Sequence, residues 1–193
     1  ELLAFDEVMA NIEIPAIDVD LPIYHGTKEE TLQIGVGHLE NTSLPIGGEN
    51  THAVLSAHCG LPSARLFTDL NLLREGNIFR IHVLDETLTY QVYKIQTVEP
   101  EDSSSLFIQE GEDIVTLITC TPYGKNTHRL LVHGRRIEEK ADAPIEEPKI
   151  EKKKTWEDYT NLAAMGIAIV FVLLLVGSGI SDLVWRKKYE NAD

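Results

Sequence analysis

Three residue types with related chemistry stand at the ends of apolar, β-branched runs. Cys120 closes the run IVTLITC, and residues 121–128 (TPYGKNTH) hold Pro and Gly that forbid a simple continuation. Arg129 opens the next run, RLLVHGRR; if the two runs pair antiparallel, Cys120 and Arg129 share one edge. His58 ends HAVLSAH just before Cys59-Gly60-Leu61-Pro62, so it too can reach a rim where loops converge. A thiol with a pKa of about 8.5 is mostly protonated at neutral pH, and its thiolate is the species that attacks an amide. Arg129 stays charged and can donate several hydrogen bonds to a carbonyl or to an oxyanion. His58 can protonate a departing amine, a task for which Arg is too weak an acid.

On the residues alone each member also has an ordinary structural reading. Buried free cysteines are common, strand-end arginines bridge carboxylates, and the chain offers seven histidines. One Cys with a distant His is a legitimate nucleophile signature, but it does not name a fold.

The elements that must position this trio are short and mostly extended. Runs with Gly, Pro, Asn or Asp between them predict strands at 11–14, 17–23, 33–36, 52–58, 78–84, 87–98, 114–120 and 129–137. Regular short strands imply a barrel or a sandwich. Asp85-Glu86 is the expected turn of a hairpin. Residues 61–74 read as the domain's helix, with Leu66, Leu70 and Leu73 spaced for one face and Gly76 as its stop.

The 193-residue length suits one catalytic domain plus an appendage. A net charge of -14, from 31 acids against 17 bases, argues against nucleic acid, whose phosphates require clustered Lys and Arg. Two cysteines make no disulfide framework, so core packing must hold the fold. Residues 1–10 lack a signal-peptide pattern, and the sequence reads as missing its natural N-terminus. The uncharged run 162–180 is worth about 28 Å of helix at roughly 1.5 Å per residue. Trp156, Tyr159, Trp185 and Tyr189 flank it, and Arg186, Lys187 and Lys188 follow. A membrane span over 162–185 is therefore expected, with a buried core helix as the alternative. Lys149 and Lys152 to Lys154 nearly balance the basic count, so charge alone leaves the orientation open. Residues 138–161 are charged, proline-bearing and poor in large apolar side chains, and read as a stalk.

The segment TLITCTPYGKNTHRLLVHGRR resembles the signature of the class C, pilus-assembling sortases, a family of cysteine transpeptidases. LSAHCGLPSARLFTDL resembles the family segment that carries its catalytic His, and IEIPAIDVDLPIYHGT its opening strands. The resemblance covers about residues 8–137. It implies a mainly β fold, a closed barrel of about eight strands with short helices, over 11–137. It also implies Cys120 as nucleophile, His58 as general acid and Arg129 as substrate and oxyanion stabiliser, with no cofactor. The implied partners are pilin subunits bearing an LPxTG-like sorting signal and an acceptor lysine, together with the lipid bilayer. By the same analogy the barrel lies outside the cell membrane and residues 186–193 inside.

Two departures stand out. The family usually has Arg after the catalytic His, where this chain has Cys59; alternation along a strand turns Cys59 away from His58, as a buried thiol, with a disulfide to Cys120 as the alternative. The lid that class C enzymes usually carry upstream of the first strand is not in the sequence. His128 and His133 could tune the site. His25, His38, His52 and His82 lack the ligand spacing of a zinc site, and the acidic residues around 99–113 read as a solvated loop rather than a calcium site. Competing readings are a thiol hydrolase or wall-anchoring transpeptidase, a wall-anchored structural protein, which would need an LPxTG-like motif before the membrane run, and an impaired sortase-like binding module.

Overall fold

The computed structural model describes residues 8–61, 64–138, 148, 150 and 160. The chain divides into two units, Glu1–Ile150 and Glu151–Asp193, and every described strand belongs to the first. Along β1 (Val8–Ile14) every second side chain is buried, Ala10, Ile12 and Ile14 facing inward, as a strand with one wetted face requires. Seven more strands follow, β2 (Val19–His25), β3 (Val36–His38), β4 (Thr51–Ser56), β5 (Ile78–Val83), β6 (Glu86–Val98), β7 (Asp113–Thr121) and β8 (His128–Ile137), of which β3, β4 and the middles of β7 and β8 are buried on both faces. They close into one barrel in the order β1-β2-β3-β4-β7-β8-β6-β5. The pairs β2–β3 and β4–β7 are parallel, and the other six are antiparallel. Closure leaves no free sheet edge to be satisfied by another chain.

The interior holds Ile12, Ile23, Leu55, Phe79, Ile81, Tyr90, Leu117 and Val132, all fully or almost fully buried. Phe79 and Tyr90 stack with ring centroids 5.5 Å apart, and Gly134 lies against them because a Cβ there would come within 2.4 Å of the Phe79 ring. β4 is buried on both faces. Ala53 and Leu55 point into the barrel, so His52 and Val54 point outward and are covered there. On β6 the pairing with β8 skips Tyr93, between Val92↔Gly134 and Lys94↔His133. Such a bulge re-aims the extra side chain; the Tyr93 ring lies 4.6 Å from the Arg135 guanidinium.

Seven of the eight expected strands are found in their expected order, with ends displaced by a few residues. Three expectations are corrected. The helix expected over 61–74 is a looped segment with a single 3-10 turn at Leu70–Leu72; residues 62 and 63 lie outside the described ones. Leu66, Leu70 and Leu73 are buried as their spacing suggested, but Leu66 has φ +37°, which an α-helix does not accept. The strand expected at 33–36 is instead the end of a short helix, α1 (Glu29–Ile34), followed by β3. The hairpin turn falls on Leu84 and Asp85, because Val83 pairs with Glu86.

Among the described residues no helix is long and apolar enough to cross a membrane. The expected span at 162–185 and the tail 186–193 lie outside them, as do residues 1–7. Two described residues of the segment read as a stalk touch the barrel. Pro148 O accepts a hydrogen bond from Asn77 at 3.1 Å, and Ile150 packs against the core.

Candidate active site

β7 and β8 are joined by six residues that reverse the chain tightly. Thr121-Pro122 is cis, Pro122 O accepts from the backbone N–H of Lys125 and Asn126 at 3.0 Å each, and Gly124 and Asn126 take positive φ. The antiparallel ladder that follows makes Cys120 and Arg129 direct partners. Their neighbours Leu117 and Leu130 lie in the barrel core, so Cys120 and Arg129 both project from the outer face. The Arg129 guanidinium donates through Nη1 to Asn126 O at 3.3 Å and His128 O at 3.1 Å. Among the described residues no carboxylate pairs with it, and its remaining donors are unspent.

The third member arrives on β4. The parallel β4–β7 ladder continues one residue past the strand, Ala57 N donating to Ile118 O at 3.2 Å, and Thr119 Oγ1 donates to Ala57 O at 2.8 Å. His58 is thereby held beside Cys120, and its own carbonyl accepts from Phe67 N at 3.0 Å. Its Nε2 lies 3.4 Å from Glu29 Oε1, within ion-pair range, yet the contact lacks hydrogen-bond geometry and the nitrogen remains without a partner. The Glu29 carboxyl is held below the usual carboxylate range first by the Gln33 amide, which donates at 2.8 Å, and then by His58.

His58, Cys120 and Arg129 line one cavity of about 420 Å³ on the outside of the barrel. Ile118 and Leu131 line it from the strands, Leu32 from α1, and Pro100 and Leu106 from the loop between β6 and β7. A largely apolar cavity that also presents a thiol, an imidazole and a guanidinium can accept a peptide and place one carbonyl among the three. Such a set holds the parts of covalent acyl transfer: a nucleophile, a proton donor and a cationic hydrogen-bond donor for the developing oxyanion.

Cys59 turns the other way from His58. Its thiol donates to Cys120 O at 2.9 Å, with Asn126 Oδ1 at 3.9 Å, and both cysteines are free and partly exposed. Gly60 packs against the Tyr123 ring, which a Cβ at that position would meet at 2.6 Å. The segment after His58 is thus clipped to the β7–β8 loop. His128 does not line the cavity: its Nε2 is 3.1 Å from Glu99 Oε1. His133 is buried against Thr116, His52 and Tyr93 and does not line it either. Among the described residues no three His, Cys, Asp or Glu side chains are placed to hold a metal. Sequence reasoning missed Glu29 and the β6–β7 wall; two acids opening a short helix, Glu29 and Glu30, were the available signal for the first.

Comparison with known proteins places the chain in a family. A sortase-domain family model matches residues 12–137. Sortase D of Bacillus subtilis (strain 168) is 31% identical over 129 residues, 65% of this chain and 62% of that protein. Sortase A of Streptococcus agalactiae serotype III (strain NEM316) is 31% identical over 132 residues, 66% of this chain and 52% of that protein. The chain therefore spans about half to three fifths of the length of these relatives. Among solved structures, sortase C-1 from Actinomyces oris superposes with a TM-score of 0.69 at 55% identity, covering 69% of this chain and 74% of that one. Streptococcus pneumoniae sortase C, described for its catalysis and pilin substrate specificity, gives 0.69 at 55% identity over 73% of this chain and 74% of that one. The chain belongs to the sortase family, and within it to the class C sortases.

Proposed function

We propose that the chain is a cysteine transpeptidase that cleaves an LPxTG-like sorting signal and joins it to a lysine of the next pilin, polymerising a pilus. The observation that carries this reading is the cross-strand pairing of Cys120 with Arg129 in the lining of an outer-face cavity that His58 also lines. The Cys120 thiolate attacks the carbonyl carbon of the Thr-Gly bond, and Arg129 donates hydrogen bonds to the oxyanion that forms. The C–N bond breaks as His58 gives its proton to the departing glycine nitrogen, leaving a thioacyl enzyme. A neutral lysine amine then attacks the thioester, its proton passes to His58, and the Cys120 thiolate departs as the isopeptide bond forms. Every proton and electron pair is accounted for by side chains, and no cofactor enters.

The pilin partner is supported by the described specificity of the similar Streptococcus pneumoniae sortase C and by the class C resemblance. A bilayer anchor is supported by the uncharged run at 162–180 and its aromatic and basic flanks, and the orientation, barrel outside and residues 186–193 inside, is supported by the family resemblance alone. The test is incubation of the chain with a pilin that carries both a sorting signal and an acceptor lysine. Covalent ladders on a denaturing gel, absent with Cys120→Ala, are expected. Cys120-dependent cleavage without ladders would overturn polymerisation in favour of a hydrolase or a wall-anchoring enzyme.

A further inference from the structure

On the same outer face, three buried polar side chains from three adjacent strands form a chain. His52 of β4 is 1% exposed, Thr116 of β7 0% and His133 of β8 1%. Thr116 and His133 are direct cross-strand partners, and His52 sits one pleat away, paired with Ile114. The hydrogen-bond distances are 2.7 Å from His52 Nε2 to Thr116 Oγ1 and 2.7 Å from Thr116 Oγ1 to His133 Nδ1. The third bond joins His52 Nδ1 to Phe107 O at 3.0 Å, and Phe107 belongs to the β6–β7 loop.

The direction of this chain follows from what each atom can do. A carbonyl oxygen accepts, so His52 Nδ1–H donates to Phe107 O. No carboxylate contacts either ring among the described residues, so a neutral His52 leaves Nε2 as an acceptor, which the Thr116 hydroxyl supplies. That hydroxyl then accepts from His133 Nδ1–H, and His133 Nε2 ends the chain without a partner. Three buried groups with one consistent set of tautomers thus converge on a single loop carbonyl.

That carbonyl matters because of where it lies. The loop is held at its start by Glu99 against His128, and near its end by Gly111 N donating to Asn50 Oδ1 and Glu112 O accepting from Thr51 N. Between these ends, the bond from His52 is the one hydrogen bond that ties the loop to the strands among the described residues. The adjoining residue, Leu106, and Pro100 form the cavity wall on that side, while the Phe107 ring is 70% exposed and anchors little.

We infer that His52, oriented by Thr116 and His133, is a positioning residue for peptide binding, fixing the β6–β7 loop so that Leu106 stands as the wall of the sorting-signal groove. The inference rests on the sortase reading given above. Its consequences appear in substrate capture, since none of the three side chains lines the cavity with the reacting atoms.

The test uses the full chain, an LPxTG reporter peptide and a fixed concentration of hydroxylamine as acceptor, with Thr116→Val, His52→Leu and His52→Asn. Thr116→Val keeps the shape and removes the hydroxyl, His52→Leu removes both ring nitrogens, and His52→Asn keeps a donor near Phe107 O. Thr116→Val and His52→Leu are expected to raise KM about 5-fold or more while kcat changes less than about 2-fold. Alkylation of Cys120 by iodoacetamide should proceed at the wild-type rate, and amide exchange at residues 104–108 should accelerate selectively. His52→Asn should recover part of the KM. Folded variants with unchanged KM and unchanged loop exchange would overturn the inference alone. A wild-type chain inactive on every sorting peptide would overturn the sortase reading and this inference with it. If His52→Leu fails to fold, Thr116→Val, which is closest in volume to the wild type, decides the matter.

Discussion

Cys120 on β7 and Arg129 on β8 face each other as direct cross-strand partners on the outer face of the barrel, and the guanidinium is held by backbone carbonyls alone among the described residues. A charge fixed in this way keeps donors in hand for a substrate oxygen. Arg129→Lys preserves the charge and loses the planar fork, so kcat/KM on a sorting peptide should fall about 100-fold to 1000-fold. The thermal midpoint should move little, because no buried ion pair is broken. Activity within a few-fold of wild type would remove Arg129 from the chemistry.

Gly134 is the point on β8 where the backbone passes the stacked Phe79 and Tyr90 rings. Adding a methyl group there places a Cβ at 2.4 Å from a fully buried ring. Gly134→Ala should destabilise the barrel by about 1 to 3 kcal/mol, read as a lower urea midpoint with an unchanged slope. A midpoint equal to that of wild type would mean the Phe79 ring relaxes freely.

Leu84 carries the β5–β6 turn at φ +52° with its side chain 95% exposed, a conformation that a branched side chain resists and that burial does not repay. The two-residue hairpin loop with positive φ at its first position suits glycine. Leu84→Gly should stabilise the domain by up to about 1 kcal/mol, the relief of strain outweighing the extra freedom of the unfolded chain. Calorimetry checks the sign, and a lowered midpoint contradicts it.

Most of the expected strands were legible because they are short apolar, β-branched runs punctuated by Gly, Pro, Asn and Asp. The pairing of Cys120 with Arg129 was legible for a related reason, since a Pro- and Gly-bearing loop of six residues leaves two adjoining runs little choice but to turn back on each other. The segment at 61–74 misled because Leu66, Leu70 and Leu73 carry helical spacing, while contacts distant in sequence set the backbone. Phe67 N goes to His58 O and Gly60 N to Thr68 Oγ1, neither a helical bond. α1 was missed because six residues offer too little periodicity to register. The His52, Thr116 and His133 chain was beyond reach of any local pattern, because it exists only when β4, β7 and β8 are laid side by side.

Acid should expose the buried histidines. His133 is depressed from 6.5 to about 4, first by burial and then by the charges of His52 and Lys94, and burial also lowers His52. Above pH 6.5 the His133 ring is neutral folded and unfolded, and its contribution to stability is complete. As the pH falls from 6.5 towards 4 the unfolded chain takes up the proton first, so stability is lost across that window, up to roughly 3 kcal/mol from this residue. Urea midpoints measured at several pH values should fall over this range in the wild type, with a shallower fall in His133→Asn. Equal slopes would contradict the assignment.

The most direct measurement is the intact mass of the protein during turnover of an LPxTG peptide without an acceptor amine. The account predicts an added mass equal to the peptide up to its threonine, mapped by proteolysis to Cys120, abolished in Cys120→Ala and retained in Cys59→Ser. An adduct on Cys59, or turnover that persists in Cys120→Ala, would contradict it.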